Sequence, residues 1–285
     1  MQSIKELLLE ATEKLQMASV TDARHNAALL LMDLLNCNRA YLLAHDQDNL
    51  DLELVAKYQT AIERRSKGEP PQYISGHQEF YGRSFIVNPA VLIPRPETEL
   101  IIELVIKLVK EHNIHQPEIL DVGTGSGCIA VTLASELASA QVTAIDISPK
   151  ALAIAKKNAL KHQVMHKINW LHSDLVKELP LQASFHFCCA NLPYISPDER
   201  KDLAREVRDY EPELALFAPK NGLTLIKRLF NEAVPIVYSG GYLICEIGFG
   251  QEAALLSSVN STYWQIEKTL KDLQGIARTI VLRRK

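Results

Sequence analysis

Hydrophobic positions change their spacing partway along the chain, and the change divides it. Over residues 3–67 apolar side chains recur at helical intervals: Ile4, Leu7, Leu8 and Leu15, then Ala27, Leu30, Leu31, Leu34 and Leu35 after Thr21-Asp22, then positions 54–62. Such spacing puts them on one face of a 3.6-residue helix, so this stretch predicts a small helical bundle. Its last helix closes on Glu63-Arg64-Arg65-Ser66-Lys67-Gly68, with cations in the final turn and glycine just beyond. As partners of the helix dipole these cations belong on a solvated face; a contact to RNA or to an acidic partner is the sharper alternative.

After the proline-punctuated connector Pro70-Pro71-Gln72-Tyr73-Ile74-Ser75-Gly76 the period shortens to two. Residues 79–87 and 91–93 read as strands, which predicts a β-hairpin over 76–96 between a domain at 1–75 and another at 97–285. Pro94-Arg95-Pro96-Glu97-Thr98-Glu99 then opens a helix with Ile101, Leu104, Val105 and Leu108 on one face. Beyond it, strands at 118–120, 141–145, 168–172, 185–190 and 242–247 alternate with helices beginning at 129, 149, 223 and 252, and two strands at 264–270 and 277–282 close the chain. The nearly continuous apolar run at 185–190 suits a central parallel strand. Strand and helix in alternation make a doubly wound α/β sheet with crossover connections.

Composition narrows the function classes. A length of 285 residues fits one large domain plus a small one, and 47% apolar content is ample for their cores. A net charge of -3 argues against a protein that holds nucleic acid chiefly by neutralising phosphates, so no stable nucleic-acid binding is expected. The five cysteines lie on apolar segments without C-x-x-C spacing, which indicates neither a disulfide framework nor a zinc or other metal site. His162, His166 and His172 read as surface or strand-end residues. The first ten residues are amphipathic and charged, unlike a signal peptide, and no apolar run approaches a membrane span. A reducing cytoplasm is the expected compartment.

The chemistry begins at Asp121-Val122-Gly123-Thr124-Gly125-Ser126-Gly127-Cys128, between a short buried strand and an apolar helix. Glycine reverses the backbone there without a Cβ penalty, at the carboxyl end of a parallel strand where ligands bind. Its glycines stand at 123, 125 and 127, and the dinucleotide fingerprint G-x-G-x-x-G would need glycine where Cys128 stands. A pyrophosphate cradle is therefore disfavoured. The next strand ends in Asp146, placed to accept both hydroxyls of a ribose, and Ser148-Pro149 already supplies a cap and first-turn proline for the following helix. Asp174 and Leu175, after the third strand, sit where a carboxylate and an apolar side chain meet an adenine amine and ring. Taken alone these two read as ordinary loop residues; the glycines together with Asp146 suit an adenosyl group.

Asn191-Leu192-Pro193-Tyr194 ends the central strand beside that loop. The Asn191 amide oxygen accepts, and Pro193 constrains the backbone so that a neighbouring carbonyl is aimed outward too. Two fixed acceptors match the two hydrogens of a planar NH2 group, and Tyr194 can cover it with an aromatic face. An amide nitrogen is a poor nucleophile, so gripping both hydrogens orients it and stabilises the charge that grows on it while it attacks an activated methyl. Asn191, Pro193 and Tyr194 are the candidate catalytic residues.

These motifs, together with Arg64-Arg65, Gly68-Glu69-Pro70, Gln72-Tyr73-Ile74-Ser75-Gly76, Phe80-Tyr81-Gly82, the Leu92 to Glu99 run, Tyr210-Glu211-Pro212, Asn221-Gly222-Leu223, Glu246-Ile247-Gly248 and Asp272-Leu273 with Gly275 and Arg278, resemble the HemK/PrmC family over nearly the whole chain. The resemblance implies a Rossmann-like class I methyltransferase with a seven-stranded sheet behind a small N-terminal helical bundle. It implies S-adenosylmethionine as methyl donor, held by Asp121, Gly123, Thr124, Gly125, Ser126, Gly127, Asp146, Ile147, Asp174, Leu175 and Asn191. The implied substrate is the glutamine of the Gly-Gly-Gln motif in class 1 peptide chain release factors, its side-chain amide held by Asn191, Leu192, Pro193 and Tyr194. The family usually carries Asn-Pro-Pro-Tyr; here the second position is Leu192. A monomer is expected. Three alternatives stay open: a glutamine methyltransferase of a ribosomal protein, a nucleic-acid adenine-amine methyltransferase, and a non-catalytic binding protein.

Overall fold

The computed structural model describes residues 2–285, in two compact units. One takes the chain up to His77 and, from far later in the sequence, Leu203–Tyr210. It holds β1 (Gln2–Ser3), α1 (Ile4–Met17), α2 (Ala23–Leu35), α3 (Arg39–Ala44), β2 (Asn49–Leu50), α4 (Leu52–Ser66) and α5 (Pro71–Ser75). Ser3 starts α1 with a capping box, its hydroxyl accepting from the Glu6 N–H while the Glu6 carboxylate accepts from the Ser3 N–H. Ile4, Leu7 and Leu15 of α1, Leu30 and Leu31 of α2, and Val55, Tyr58 and Ile62 of α4 close one buried cluster. Each large side chain there contributes about 1.5–3 kcal/mol by leaving water.

Of the cations closing α4, Lys67 is exposed as expected and Arg64 half-buried, but Arg65 does not lie on a solvated face. Arg65 is 5% exposed, and its guanidinium donates to Asn26 Oδ1, to the Glu69 carbonyl and to Glu206. A planar fork of donors can join three segments at once, and this offsets the cost of burying its charge. Arg64 grips Glu69 with two hydrogen bonds of 2.8 and 2.6 Å. Neither the solvated face nor the RNA contact describes Arg65; it is an internal strut of the helical unit.

The hairpin β3 (His77–Phe80) and β4 (Arg83–Ile86) departs from its expected outline. Its turn is Tyr81-Gly82, with φ of 50° and 67°, the two left-handed residues of a two-residue hairpin loop. The run expected as one strand is thus both arms of the hairpin. Residues 91–93 form no strand, although Val91 and Ile93 are buried; Pro89, Pro94 and Pro96 remove donors that a ladder would need.

The second unit continues with α6 (Glu99–Glu111), β5 (Glu118–Val122), α7 (Cys128–Glu136), β6 (Gln141–Asp146), α8 (Pro149–Lys161), β7 (Ile168–His172) and β8 (Phe185–Ala190). The short helix α9 (Arg205–Tyr210) belongs to the helical unit; α10 (Glu213–Leu216), α11 (Thr224–Glu232), β9 (Val237–Glu246), α12 (Glu252–Leu256), β10 (Trp264–Lys271) and β11 (Ala277–Arg284) complete the second. Seven strands form one sheet in the order β10-β11-β9-β8-β5-β6-β7, and β11 runs antiparallel to both of its neighbours while the contacts from β9 to β7 are parallel. Alternation along the central strands fills two layers: Ile119, Val142, Phe187 and Cys189 enter one core cluster, and Leu120, Ile145, Cys188 and Ala190 the other. As expected, the Ser148 hydroxyl caps α8, with Pro149 in its first turn.

Candidate active site

Register brings the expected loops together. Val122, the last residue of β5, pairs with Ile145 on one side and with Ala190 on the other. The chain runs outward from β5 through β6 to β7 and returns as β8 on the opposite flank of β5, so the strand ends part at a topological switch point. There lies a cavity of about 330 Å³. Gly123, Thr124, Gly125, Ser126, Asp146, Ile147, Asp174, Leu175, Asn191, Leu192 and Pro193 all line it; Asp121, Gly127 and Tyr194 do not.

Four N–H groups of the glycine loop are engaged by the protein, three of them by the end of β6. Those of Gly123 and Thr124 both donate to the Ile145 carbonyl, that of Gly127 donates to the Thr124 carbonyl, and that of Gly125 donates to Asp146 Oδ2 at 2.8 Å. Donors so engaged make a poor anion cradle, in keeping with the spacing of the glycines. Gly127 serves packing instead: with φ of 81°, a Cβ there would meet the Ala155 Cβ at 3.0 Å, so it lets α7 start hard against α8.

Asp121 lies beneath this loop and is fully buried. Its Oδ2 accepts from the Thr124 hydroxyl and the Ala130 N–H, at 2.7 and 3.1 Å, while Oδ1 has no partner. Burial pushes its carboxyl up to about 7. Asp146 faces the cavity; Ser148 and Gly125 N–H groups bind one oxygen each, and burial raises its carboxyl despite them. Each oxygen keeps a lone pair for a hydroxyl donor. Asp174 is less free than its sequence position suggested. Lys177 and Arg228 both pair with its carboxylate and hold it below the usual range.

At the end of β8, Asn191 donates its Nδ2 to the Thr98 hydroxyl at 3.0 Å. Thr98 donates in turn to Glu246 Oε2 at 2.5 Å, and the Tyr194 hydroxyl approaches Glu246 Oε1 at 3.3 Å. Tyr194 is therefore turned toward Glu246 and packs against the second core layer. Leu192 also points inward: it is 4% exposed, and its Cδ2 lies 3.0 Å from the place a Cβ on Gly123 would take. Arg95 and Glu211 form a partly buried ion pair, and Glu211 also accepts from the Ile93 N–H, tying two of the motifs together beside the cavity.

Sequence reasoning gave no physical role to Thr98, Glu246, Gln251, Gly222 or the Arg95–Glu211 pair. For Glu246 the signal was present, since an acid closing the apolar run Leu243-Ile244-Cys245 repeats the pattern that singled out Asp146. The partners of Thr98 and Gln251 are 148 and 57 residues away, which local spacing does not reveal.

The cavity suits S-adenosylmethionine. Asp146 and Asp174 line it and, among the described residues, no Lys or Arg does, which disfavours a phosphate. Asp146 would hold the ribose hydroxyls, Ile147 and Leu175 would flank the adenine, and the backbone at 123–126 would border the rest. Bound there, the donor supplies a methyl group activated by its sulfonium. Among the described residues no cluster of three or more His, Cys, Asp or Glu is placed to hold a metal ion, and no helix is long and apolar enough to cross a membrane.

Comparison with known proteins agrees with the fold. Residues 119–210 match the family of methyltransferase domains, and residues 6–76 match the PrmC N-terminal domain. A solved structure of the human Mettl16 catalytic domain with an RNA hairpin shares the architecture, with a TM-score of 0.59 and 16% identity over 91% of each chain. Sheet, cavity and domain match together define a Rossmann-like, S-adenosylmethionine-dependent methyltransferase. At the level of sequence, the chain is 42% identical to a release factor glutamine methyltransferase of Koribacter versatilis over 99% of both chains. It is 36% identical to a bifunctional methyltransferase of Rickettsia felis over 98% of this chain and 58% of that one. The chain belongs to the release factor glutamine methyltransferase family.

Proposed function

We propose that the protein transfers the methyl group of S-adenosylmethionine to the side-chain amide nitrogen of a glutamine in a class 1 peptide chain release factor, at its Gly-Gly-Gln motif. The observation that carries this reading is Asn191 at the rim of the donor cavity with its Nδ2 already engaged by Thr98. Its Oδ1 is thereby the acceptor left for an incoming NH2 group, and the Leu192 carbonyl before Pro193 is the second. Held through both hydrogens, the amide nitrogen keeps its lone pair aimed at the methyl group, and the positive charge that grows on it meets fixed acceptors. The product loses its proton easily, so the site needs no strong base. Likeness to the Koribacter enzyme over the whole chain supports the release factor as substrate.

In this reading the helical unit docks the protein substrate, and the enzyme works in the cytoplasm as a monomer without stable nucleic-acid binding. The test is incubation with labelled donor and, separately, a release factor, ribosomal proteins and DNA, followed by mass-spectrometric mapping of the label. The proposal predicts label on one release-factor glutamine. Label on adenine amines, or on a ribosomal protein alone, would replace it.

A further inference from the structure

An asparagine offers a substrate two chemically opposite faces of nearly identical shape, and only its surroundings decide which one is presented. Here the deciding group lies two hydrogen bonds away. We infer that Glu246, acting through Thr98, is a positioning residue that fixes the Asn191 amide with its oxygen toward the substrate; the inference rests on the amide-methylation reading above.

An ionised carboxylate only accepts. Glu246 receives Thr98 on Oε2 and Tyr194 on Oε1, so both of its oxygens face hydroxyl donors. Thr98 has one hydroxyl proton, and Glu246 takes it. What remains on Oγ1 is lone pairs, which can bind Asn191 only through Nδ2, as observed at 3.0 Å. Thr98 is 1% exposed and Glu246 2% exposed, so bulk water does not compete for these bonds. Polarity therefore passes in one direction, from carboxylate to hydroxyl to amide, and ends with Oδ1 free. Were the relay reversed, Nδ2 would face the substrate's own N–H groups, donor against donor.

The test uses the full chain, labelled donor and a class 1 release factor. Glu246→Gln is nearly isosteric but can donate to Thr98, which then donates to Asn191 Oδ1 and turns Nδ2 outward. It should lower kcat by about 10- to 100-fold, the scale on which supporting groups act on activity. The release-factor KM should change by less than about threefold, which separates lost transition-state stabilisation from lost binding. Donor affinity by calorimetry should stay at the wild-type value. Thr98→Val should show the same loss and Thr98→Ser should recover most of the rate, a pair that carries the test even if Glu246→Gln folds poorly. The double variant Thr98→Val/Glu246→Gln should be no slower than Thr98→Val, because both act through one relay. Wild-type kcat in Glu246→Gln or Thr98→Val, or additive losses in the double variant, would overturn the assignment. A wild-type enzyme that leaves the release factor unlabelled rejects the substrate instead, and the variants are then compared on whichever substrate takes label.

Discussion

Gly222 lies directly against the Tyr194 carbonyl: a Cβ built on the glycine would stand 1.8 Å from that oxygen. Lys220, Asn221 and Gly222 have φ of 51°, 61° and 75° in succession, so the chain turns left-handed there. Gln251 holds the same junction from the other side, donating to the Tyr194 carbonyl at 2.7 Å and to the Asn221 carbonyl at 3.3 Å, while its Oε1 accepts from the Gly248 N–H. The Asn191–Tyr194 loop thus rests on a floor built from residues 220–222 and from Gln251 after β9.

Gly222→Ala should therefore displace residues 193–195 more than it unfolds the protein. Left-handed backbone at a non-glycine residue costs on the order of 1–3 kcal/mol, and the clash adds to it unless the loop moves. The expected outcome is a modest fall in Tm with turnover lost by about tenfold or more, because a loop displaced by an ångström no longer grips the amide in line. Thermal unfolding and methyl-transfer assays on the same preparation check it; unchanged turnover would show that the floor does not set the loop.

Asn191→Ala removes the oxygen proposed to grip the amide and leaves the glycine loop and Asp146 in place. Turnover should disappear while the donor binds with near wild-type affinity by calorimetry. A collapse of donor affinity would assign Asn191 to the donor site instead of the substrate.

Asp146→Ala should act in the opposite way. It deletes the candidate ribose acceptor and also the partner of the Gly125 and Ser148 N–H groups. Donor affinity should weaken by about 1.5–3 kcal/mol, the scale of hydrogen bonds to charged groups, which calorimetry resolves readily. Affinity within twofold of the wild type would place the ribose elsewhere.

Much of this arrangement was legible because it is local. Strands, their following helices and the residues at strand ends follow from apolar spacing and glycine position, and parallel pairing then brings 123, 146 and 191 to one edge of the sheet. The hairpin turn is not legible in the pattern because alternation continues through Tyr81-Gly82, and only their positive φ marks it. The apolar run at 91–93 reads as a strand because burial without a ladder produces the same pattern. The helix at 205–210 is hidden by dense charge, and that at 213–216 is a single turn, too short to show a helical period. The settings of Arg65 and Glu246 are hidden from local spacing for one reason: the partners that make a buried charge tolerable, Glu206 for the first and Thr98 for the second, are distant in sequence.

Arg65 yields a stability prediction confined to the helical unit. Removing one partner of a buried, hydrogen-bonded ion pair typically costs about 3–5 kcal/mol, and Arg65→Ala would also strand Asn26 Oδ1. Glu206 is more exposed, so the lower end of that range is expected. Denaturant titration should show the loss while donor binding is kept; a change below about 0.5 kcal/mol would return Arg65 to the solvated class.

Through Glu246, stability and catalysis are expected to respond to pH in opposite senses. Burial is the main cause that lifts its carboxyl from 4.5 to about 7, and the nearby Glu97 carboxylate adds to the rise, while the Thr98 and Tyr194 hydroxyls and the Arg278 guanidinium oppose it. The Cys128 and Cys245 thiols also face it, and burial keeps both protonated. Between these two pH values the folded protein holds a proton that the unfolded chain has released. Its contribution to stability therefore falls as pH rises from 4.5 and levels off above about 7, a total on the order of 3 kcal/mol. Asp121 titrates in the same window, so the Glu246 share is read as a difference: relative to wild type, Glu246→Gln should gain stability as pH rises through the window. The ionised carboxylate is also the form that fixes the Asn191 amide, so wild-type kcat should rise as pH passes about 7. Glu246→Gln should lack that limb. A stability difference independent of pH, together with an unaltered rate profile in the variant, would mean that Glu246 does not titrate in this range and that the site gains nothing from its charge.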